Sequence, residues 1–169
     1  SGGIVAAVGF LDDKFSLRAG VRFAVQTIAA GLFVFAIGAA PGTMHAWGGM
    51  RYWVGVGLLE FTLLWSTNLF NFMDGIDGLA GSEAVFVSGA GAYLNYMQHG
   101  DAGVTAAMMG LCAASGGFLV WNSPRARIFM GDVGSGFLGL TLPMLALIAG
   151  HRASLPMQTW IILFGMFVI

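Results

Sequence analysis

"VRFAVQTIAAGLFVFAIGAA", residues 21 to 40, decides the fold: twenty residues with a single charge, Arg22, near their start. The hydrocarbon core of a bilayer asks for about 20 consecutive apolar residues per helix, with a range of roughly 17–25. Six further apolar runs flank this one, at 1–10, 53–70, 83–98, 103–121, 135–150 and 157–169. Across the 169 residues, 57% are hydrophobic and only 9% charged, where a soluble domain carries about 25% charged residues. Such a chain can bury a core but cannot cover a water-facing surface, so its solvent is lipid. The expected fold is all-α, a polytopic transmembrane helical bundle. The 135–150 run contains Pro143, which a packed membrane helix tolerates.

The joining segments are short, and no linker, repeat or low-complexity tract interrupts them, so one transmembrane domain spanning 1–169 is expected. The chain opens at Ser1 on an apolar stretch and closes on "WIILFGMFVI". It reads as an internal segment, truncated at both ends, of a longer protein. A net charge of −1 predicts no polyanionic partner and hence no nucleic acid. Cys112 is the sole cysteine, which leaves no disulfide framework and suits a small helix-packing residue. The bilayer is the first predicted partner, and a second copy of the chain is another candidate.

Each crossing changes the side of the membrane. Segments 11–20, 71–82 and 122–134 therefore share one face, and 41–52, 99–102 and 151–156 share the other. Lys14, Arg18, Arg22, Arg125 and Arg127 fall on the first face, against Arg51 and Arg152 on the second. The positive-inside rule makes the first face cytoplasmic. Asp12, Asp13, Asp74, Asp77 and Asp132 fall on that face too, with Glu83 just inside the next helix. His45, His99 and His151 map to the opposite face without metal-ligand spacing. Trp47, Tyr52, Trp53, Trp121 and Trp160 sit near run ends, as in an aromatic belt. Glu60 is an intramembrane acid in the 53–70 run.

Carboxylates near lipid are functional hypotheses by default. Asp12 and Asp13 are adjacent and diverge by about 100° on a helix, so they line a wall without sharing one ligand; N-terminal helix capping is the plainer alternative. Asn71, Asp74 and Asp77, within "NLFNFMDGIDGLAGS" (68–82), are spaced by three and three and would share one face if helical. Gly75 and Gly78 argue that the helix opens there. In "RIFMGDVGSGFLG" (127–139), Asp132 is flanked by glycines that lead into a helix and expose backbone N–H groups suited to phosphate oxygens. Phe129 either stacks on a base or packs, and Arg125 and Arg127 either pair with phosphate or anchor the cytoplasmic face. So many acids on one face call for a cation, and Mg²⁺, held by one or two carboxylates plus phosphate oxygens, answers that.

The stretches "GFLDDKFSLR", "NLFNFMDGIDGLAGS" and "WNSPRARIFMGDVGSGFLG" together resemble the three cytoplasmic signatures of the polyprenyl-phosphate N-acetylhexosamine-1-phosphate transferases (glycosyl transferase family 4), in order, spacing and sidedness. The resemblance covers nearly the whole chain. It implies a parent of about ten transmembrane helices, of which six or seven are here, without the N-terminal helices and a later His- and Arg-rich loop. It implies a bacterial inner-membrane enzyme that transfers a sugar 1-phosphate from a UDP-N-acetylhexosamine to undecaprenyl phosphate, releases UMP and starts a cell-envelope glycan. Asp12 and Asp13 match the family's aspartate pair on the lipid-phosphate side. Asn71, Asp74 and Asp77 match its N-x-x-D-x-x-D element, Asn122 the asparagine ten residues before the metal aspartate, Asp132 that aspartate, and Phe129 the position stacking on uracil. Asp132 and Asp13 are then the ligands of Mg²⁺, or of Mn²⁺ in its place, with Arg125 and Arg127 on substrate. "NFMDGIDG" resembles the O-antigen type more than the muropeptide type. A cation transporter or channel with acidic cytoplasmic loops is the alternative; it predicts acids on both sides of the midplane.

Overall fold

The computed structural model describes residues 1–38, 49–152 and 156–165. Within them lie seven helices: α1 (Gly2–Phe15), α2 (Ala19–Gly38), α3 (Gly49–Met73), α4 (Leu79–Met97), α5 (Ala102–Asn122), α6 (Gly131–His151) and α7 (Met157–Gly165). Each apolar run of the sequence has its helix, and no strand occurs among the described residues. Lipid offers no partner to a free N–H or C=O, so a spanning segment must satisfy its backbone internally. Three helices, α2, α5 and α6, are long and apolar enough to cross a bilayer. Only 22% of the apolar window of α2 and 17% of that of α5 are buried, and side chains such as Phe35 and Met109 point outward. Those faces are built for lipid or for other helices, not for water. His45 and Trp47 lie outside the described residues, as do 166–169 at the end of the last run.

Several boundaries differ from the sequence reading. The segment 11–20 was expected as a loop, but α1 continues to Phe15 and carries Asp12 and Asp13 on its last turns. Ser16 then enters the left-handed region at φ 49° and its N–H donates to the Asp12 carbonyl. The helix therefore ends on its own carbonyls, and Asp12 is at the wrong end for N-terminal capping. Helix α6 begins at Gly131, four residues before the apolar run, and Ser135 Oγ donates back to the Gly131 carbonyl at 2.9 Å. Trp160, expected in the aromatic belt, is buried. Its ring lies where a side chain on Gly91 would be, 2.5 Å from an ideal Cβ there.

The chain divides into two compact units. Unit 1 comprises residues 1–72 and 130–141: α1, α2, nearly all of α3 and the first half of α6. Here α6 packs on α1 and α3 through glycines. An added Cβ would stand 2.5 Å from the Asp132 carbonyl oxygen at Gly9, 3.0 Å from Val5 Cγ1 at Gly136, and 2.7 Å from Thr67 Cα at Gly139. Small residues let membrane helices approach to backbone distance, and here that closeness brings the ends of α1 and α6 together.

Unit 2 comprises residues 73–129 and 142–169. Its centre is the pairing of α4 with α5, with α7 also packed on α4. Cys112 fits against Gly89, 3.1 Å from an ideal Cβ, in keeping with a packing role. The turn between α4 and α5 is tied by Asp101, whose carboxylate accepts from the Val104 N–H at 2.9 Å and pairs with Arg152. The Val104 N–H and the Arg152 guanidinium hold the Asp101 carboxyl below its ordinary value. His99 lies in this turn and His151 ends α6.

Candidate active site

Four helices of unit 1 deliver polar side chains to one place. Helix α1 brings Asp12 and Asp13, α2 brings Arg22, α3 brings Asn71, and α6 brings Asp132 and Ser135. Asp12 is buried; its Oδ1 accepts the Leu17 N–H at 2.6 Å and its Oδ2 accepts from Arg22 Nη1 at 2.6 Å. The same Arg22 nitrogen lies 2.6 Å from Asp132 Oδ2. Asn71 Nδ2 donates to the other Asp132 oxygen and approaches Ser135 Oγ at 3.3 Å. Asp13 Oδ1 accepts the Asp132 backbone N–H at 3.1 Å.

The divergence of Asp12 and Asp13 is thus used. One reaches the side chain of Asp132 through Arg22, and the other holds its backbone. Asp12, beyond the apolar stretch of α1, lies below its ordinary carboxyl value. Its hydrogen bond with the Asp132 carboxyl is the largest cause and pushes Asp132 the other way, followed among the lowering causes by Arg22 and the Leu17 N–H, against burial, which pushes Asp12 up. Gly131 stands at φ 65°, and an ideal Cβ there would be 2.7 Å from Asp13 Oδ2. Only glycine meets both conditions at no steric cost. A cavity of about 200 Å³ adjoins this cluster, lined at its polar side by Arg22, Gln26, Asn68, Asn71 and Asp132.

Unit 2 carries the remaining sequence-predicted residues. Beyond α3 the chain turns through Asp74, half-buried, and Asp77, exposed, to Gly78 at φ 76°. The three-and-three spacing of Asn71, Asp74 and Asp77 therefore does not define one helical face, because α3 ends at Met73. Asn122, at the last turn of α5, is buried. Its Oδ1 accepts the Gly78 N–H at 3.0 Å and its Nδ2 donates to the Ile128 carbonyl at 2.9 Å. Asp77 Oδ2 accepts the Ala126 N–H at 3.0 Å. Together these bonds fasten the segment 123–130 to the turn before α4. Arg125 sits in the left-handed region at φ 69°. The Arg127 N–H donates to the Trp121 carbonyl at 2.8 Å, with its guanidinium 5.9 Å from the Trp121 ring centroid. Phe129 is 74% exposed, so its ring is not spent on packing.

An Asn122→Ala chain should be less stable by about 1–3 kcal/mol, the cost of a buried polar group left unpaired. The unfolding midpoint in detergent reads this, and an unchanged midpoint would show that the Gly78 N–H and Ile128 carbonyl find other partners.

Sequence reasoning missed Arg22, Ser135 and Gly9 as parts of the cluster, and read Gly131 for its exposed backbone rather than for the room it leaves Asp13. For Arg22 there was a signal: a lone charge at the edge of an apolar run. For Gly9 there was none, since its need arises from what α6 places opposite.

In comparison with known proteins, residues 1–150 match Glycosyl transferase family 4. The chain is 30% identical over 159 residues to a probable undecaprenyl-phosphate N-acetylglucosaminyl 1-phosphate transferase of Bacillus subtilis, covering 89% of this chain and 42% of that protein. It is 34% identical over 165 residues to a phospho-N-acetylmuramoyl-pentapeptide-transferase of Heliobacterium modesticaldum, covering 88% and 51%. It is 34% identical over 163 residues to a decaprenyl-phosphate N-acetylglucosaminephosphotransferase of Mycolicibacterium smegmatis, covering 84% and 38%. The chain spans about half the length of the curated relatives it matches. The matched residues include all of α1 to α5, the Asp132 cluster and the fastened segment 123–130, and the chain belongs to glycosyl transferase family 4.

Proposed function

We propose that the full-length protein transfers a phospho-N-acetylhexosamine from a UDP-sugar to undecaprenyl phosphate, releasing UMP at the cytoplasmic face of a bacterial inner membrane. The observation that carries this reading is the Asp132 cluster: three carboxylates, one guanidinium and one amide converge from four helices of an apolar chain. An arrangement so expensive near lipid suits the handling of a charged reactant at the bilayer surface. The relatives' names support the same reaction class: all three are transferases of a phospho-sugar, and two name a polyprenyl phosphate.

The donor set fits a hard divalent cation. Asp132 and Asp13 offer carboxylate oxygens, which suit Mg²⁺ or Mn²⁺. Among the described residues no group of three His, Cys, Asp or Glu could hold a metal by itself. Mg²⁺ takes one or two protein carboxylates and completes its shell with water and substrate phosphate, so Asp132 and Asp13 would be its protein ligands. When bound, the ion supplies positive charge against the diphosphate of the donor.

The chain's own residues do the positioning on which phosphoryl transfer depends. Asn71 orients the Asp132 carboxylate, and Asp13 fixes the backbone that carries it. In unit 2, Asn122 and Asp77 hold the segment that presents Phe129 as a stacking surface for the uracil, with Arg125 and Arg127 as cations for phosphate. Asp74 contributes to binding from the turn beside Asp77. No general base is required. The second pKa of a phosphate monoester is about 6, so the acceptor is largely dianionic at neutral pH. Asp13→Asn should therefore lose activity at every pH; recovery of exchange at high pH would instead make Asp13 a base.

The deciding experiment is Mg²⁺-dependent exchange of labelled UMP into a panel of UDP-N-acetyl sugars, using membranes that hold the full-length protein and undecaprenyl phosphate. Exchange with one sugar establishes both reaction and donor. Absence of exchange with every donor, in membranes where the protein is folded, would overturn the transferase reading in favour of cation passage.

A further inference from the structure

Arg22 is placed where a cation is needed and where another cation would have to go. Its Nη1 lies 2.6 Å from Asp12 Oδ2 and 2.6 Å from Asp132 Oδ2. One nitrogen thus bridges two carboxylates that would otherwise repel. The remaining Asp132 oxygen accepts from Asn71, and Asp13 Oδ1 accepts the Asp132 backbone N–H. A dication on Asp132 meets the guanidinium on the same carboxylate, and the two charges repel. The side chain of Arg22 is 38% exposed, and the adjoining cavity of about 200 Å³ gives it somewhere to move.

We propose that Arg22 is a built-in counter-ion of the Asp12–Asp132 pair that competes with the divalent cation, so that metal entry and release of Asp132 by Arg22 are one event. The guanidinium keeps its bond to Asp12 as it leaves Asp132, which makes Asp12 the hinge of the exchange. Arg22 is a positioning residue here, acting through Asp132. The inference rests on the proposed reading only in taking Asp132 as the metal residue. By linkage, whatever Arg22 takes from metal affinity, the metal takes from the Arg22–Asp132 contact.

The probe is Mn²⁺ alone, without nucleotide or lipid substrate, added to purified full-length protein in detergent and counted by electron paramagnetic resonance. Arg22→Gln should bind Mn²⁺ roughly tenfold more tightly, within the usual range for coupled sites. Arg18→Gln removes a nearby exposed charge of the same sign and should change affinity little. Equal or weaker binding by Arg22→Gln, or an equal gain in Arg18→Gln, would overturn the proposal. The unaltered protein supplies a second measurement that does not depend on a variant folding. Modification of Arg22 by phenylglyoxal, read by mass spectrometry, should rise with Mn²⁺ at the midpoint of metal binding; constant labelling would overturn it. Neither measurement reads sugar transfer. Failure of the UMP exchange therefore leaves the competition standing, and a protein that exchanges UMP without the competition keeps its function and loses this role for Arg22.

Discussion

Asp132→Asn should lower UMP exchange by about 10³-fold or more, at least the upper range for losing a single preorganised oxyanion-hole donor, while leaving the protein folded. The substitution keeps the shape of the side chain but removes its charge. It also turns one acceptor into a donor. Both oxygens of Asp132 receive N–H groups, from Arg22 on one side and Asn71 on the other. An amide can satisfy only one of them, and its NH₂ then faces a donor. Arg22 is left with Asp12 alone, and the proposed metal loses its main ligand. Exchange measured at saturating Mg²⁺, with the unfolding midpoint in detergent as the control for folding, checks this. Near-wild-type exchange would remove Asp132 from the chemistry.

Gly131→Ala should cost about 100-fold in exchange although it touches no proposed substrate group. Two effects add. A Cβ at φ 65° meets the penalty of roughly 1–2 kcal/mol for an L-residue in the left-handed region. The same atom would stand 2.7 Å from Asp13 Oδ2, so either Asp13 or the start of α6 must shift. A displacement of about 1 Å at a catalytic group can cost 10²-fold. Gly110→Ala is the matched control. It lies inside α5 with nothing within 4 Å of an added Cβ, and alanine is the better helix former, so exchange and stability should both hold. Loss in Gly131→Ala equal to that in Gly110→Ala would show that the close approach of Asp13 to Gly131 has no bearing on activity.

The helices were legible in the sequence for a simple reason. Lipid forbids unpaired backbone, so an apolar run near 20 residues can be little else than a helix, and among the described residues each of the seven runs, the shorter ones included, carries a helix. Their ends were less legible. Hydropathy stops where polar residues begin, but a helix stops where its backbone finds other partners. Asp12 and Asp13 therefore lie inside α1, and Gly131 and Asp132 begin α6. The candidate residues could be named from three short stretches because acids near a membrane are costly and the combination resembles a family whose profile the chain matches.

Their partners required the folded chain. Asn71 and Asp77 are six residues apart and form a single motif by spacing, yet the end of α3 at Met73 sends Asn71 to Asp132 and Asp77 to the Ala126 N–H. Arg22 read as one more cytoplasmic positive charge. Its bridge joins Asp12, ten residues away, to Asp132, 110 residues away. Such a contact depends on the approach of α1 to α6 across Gly9. No local pattern encodes that distance, because it is set by what is missing from the glycine and by what another helix places opposite it.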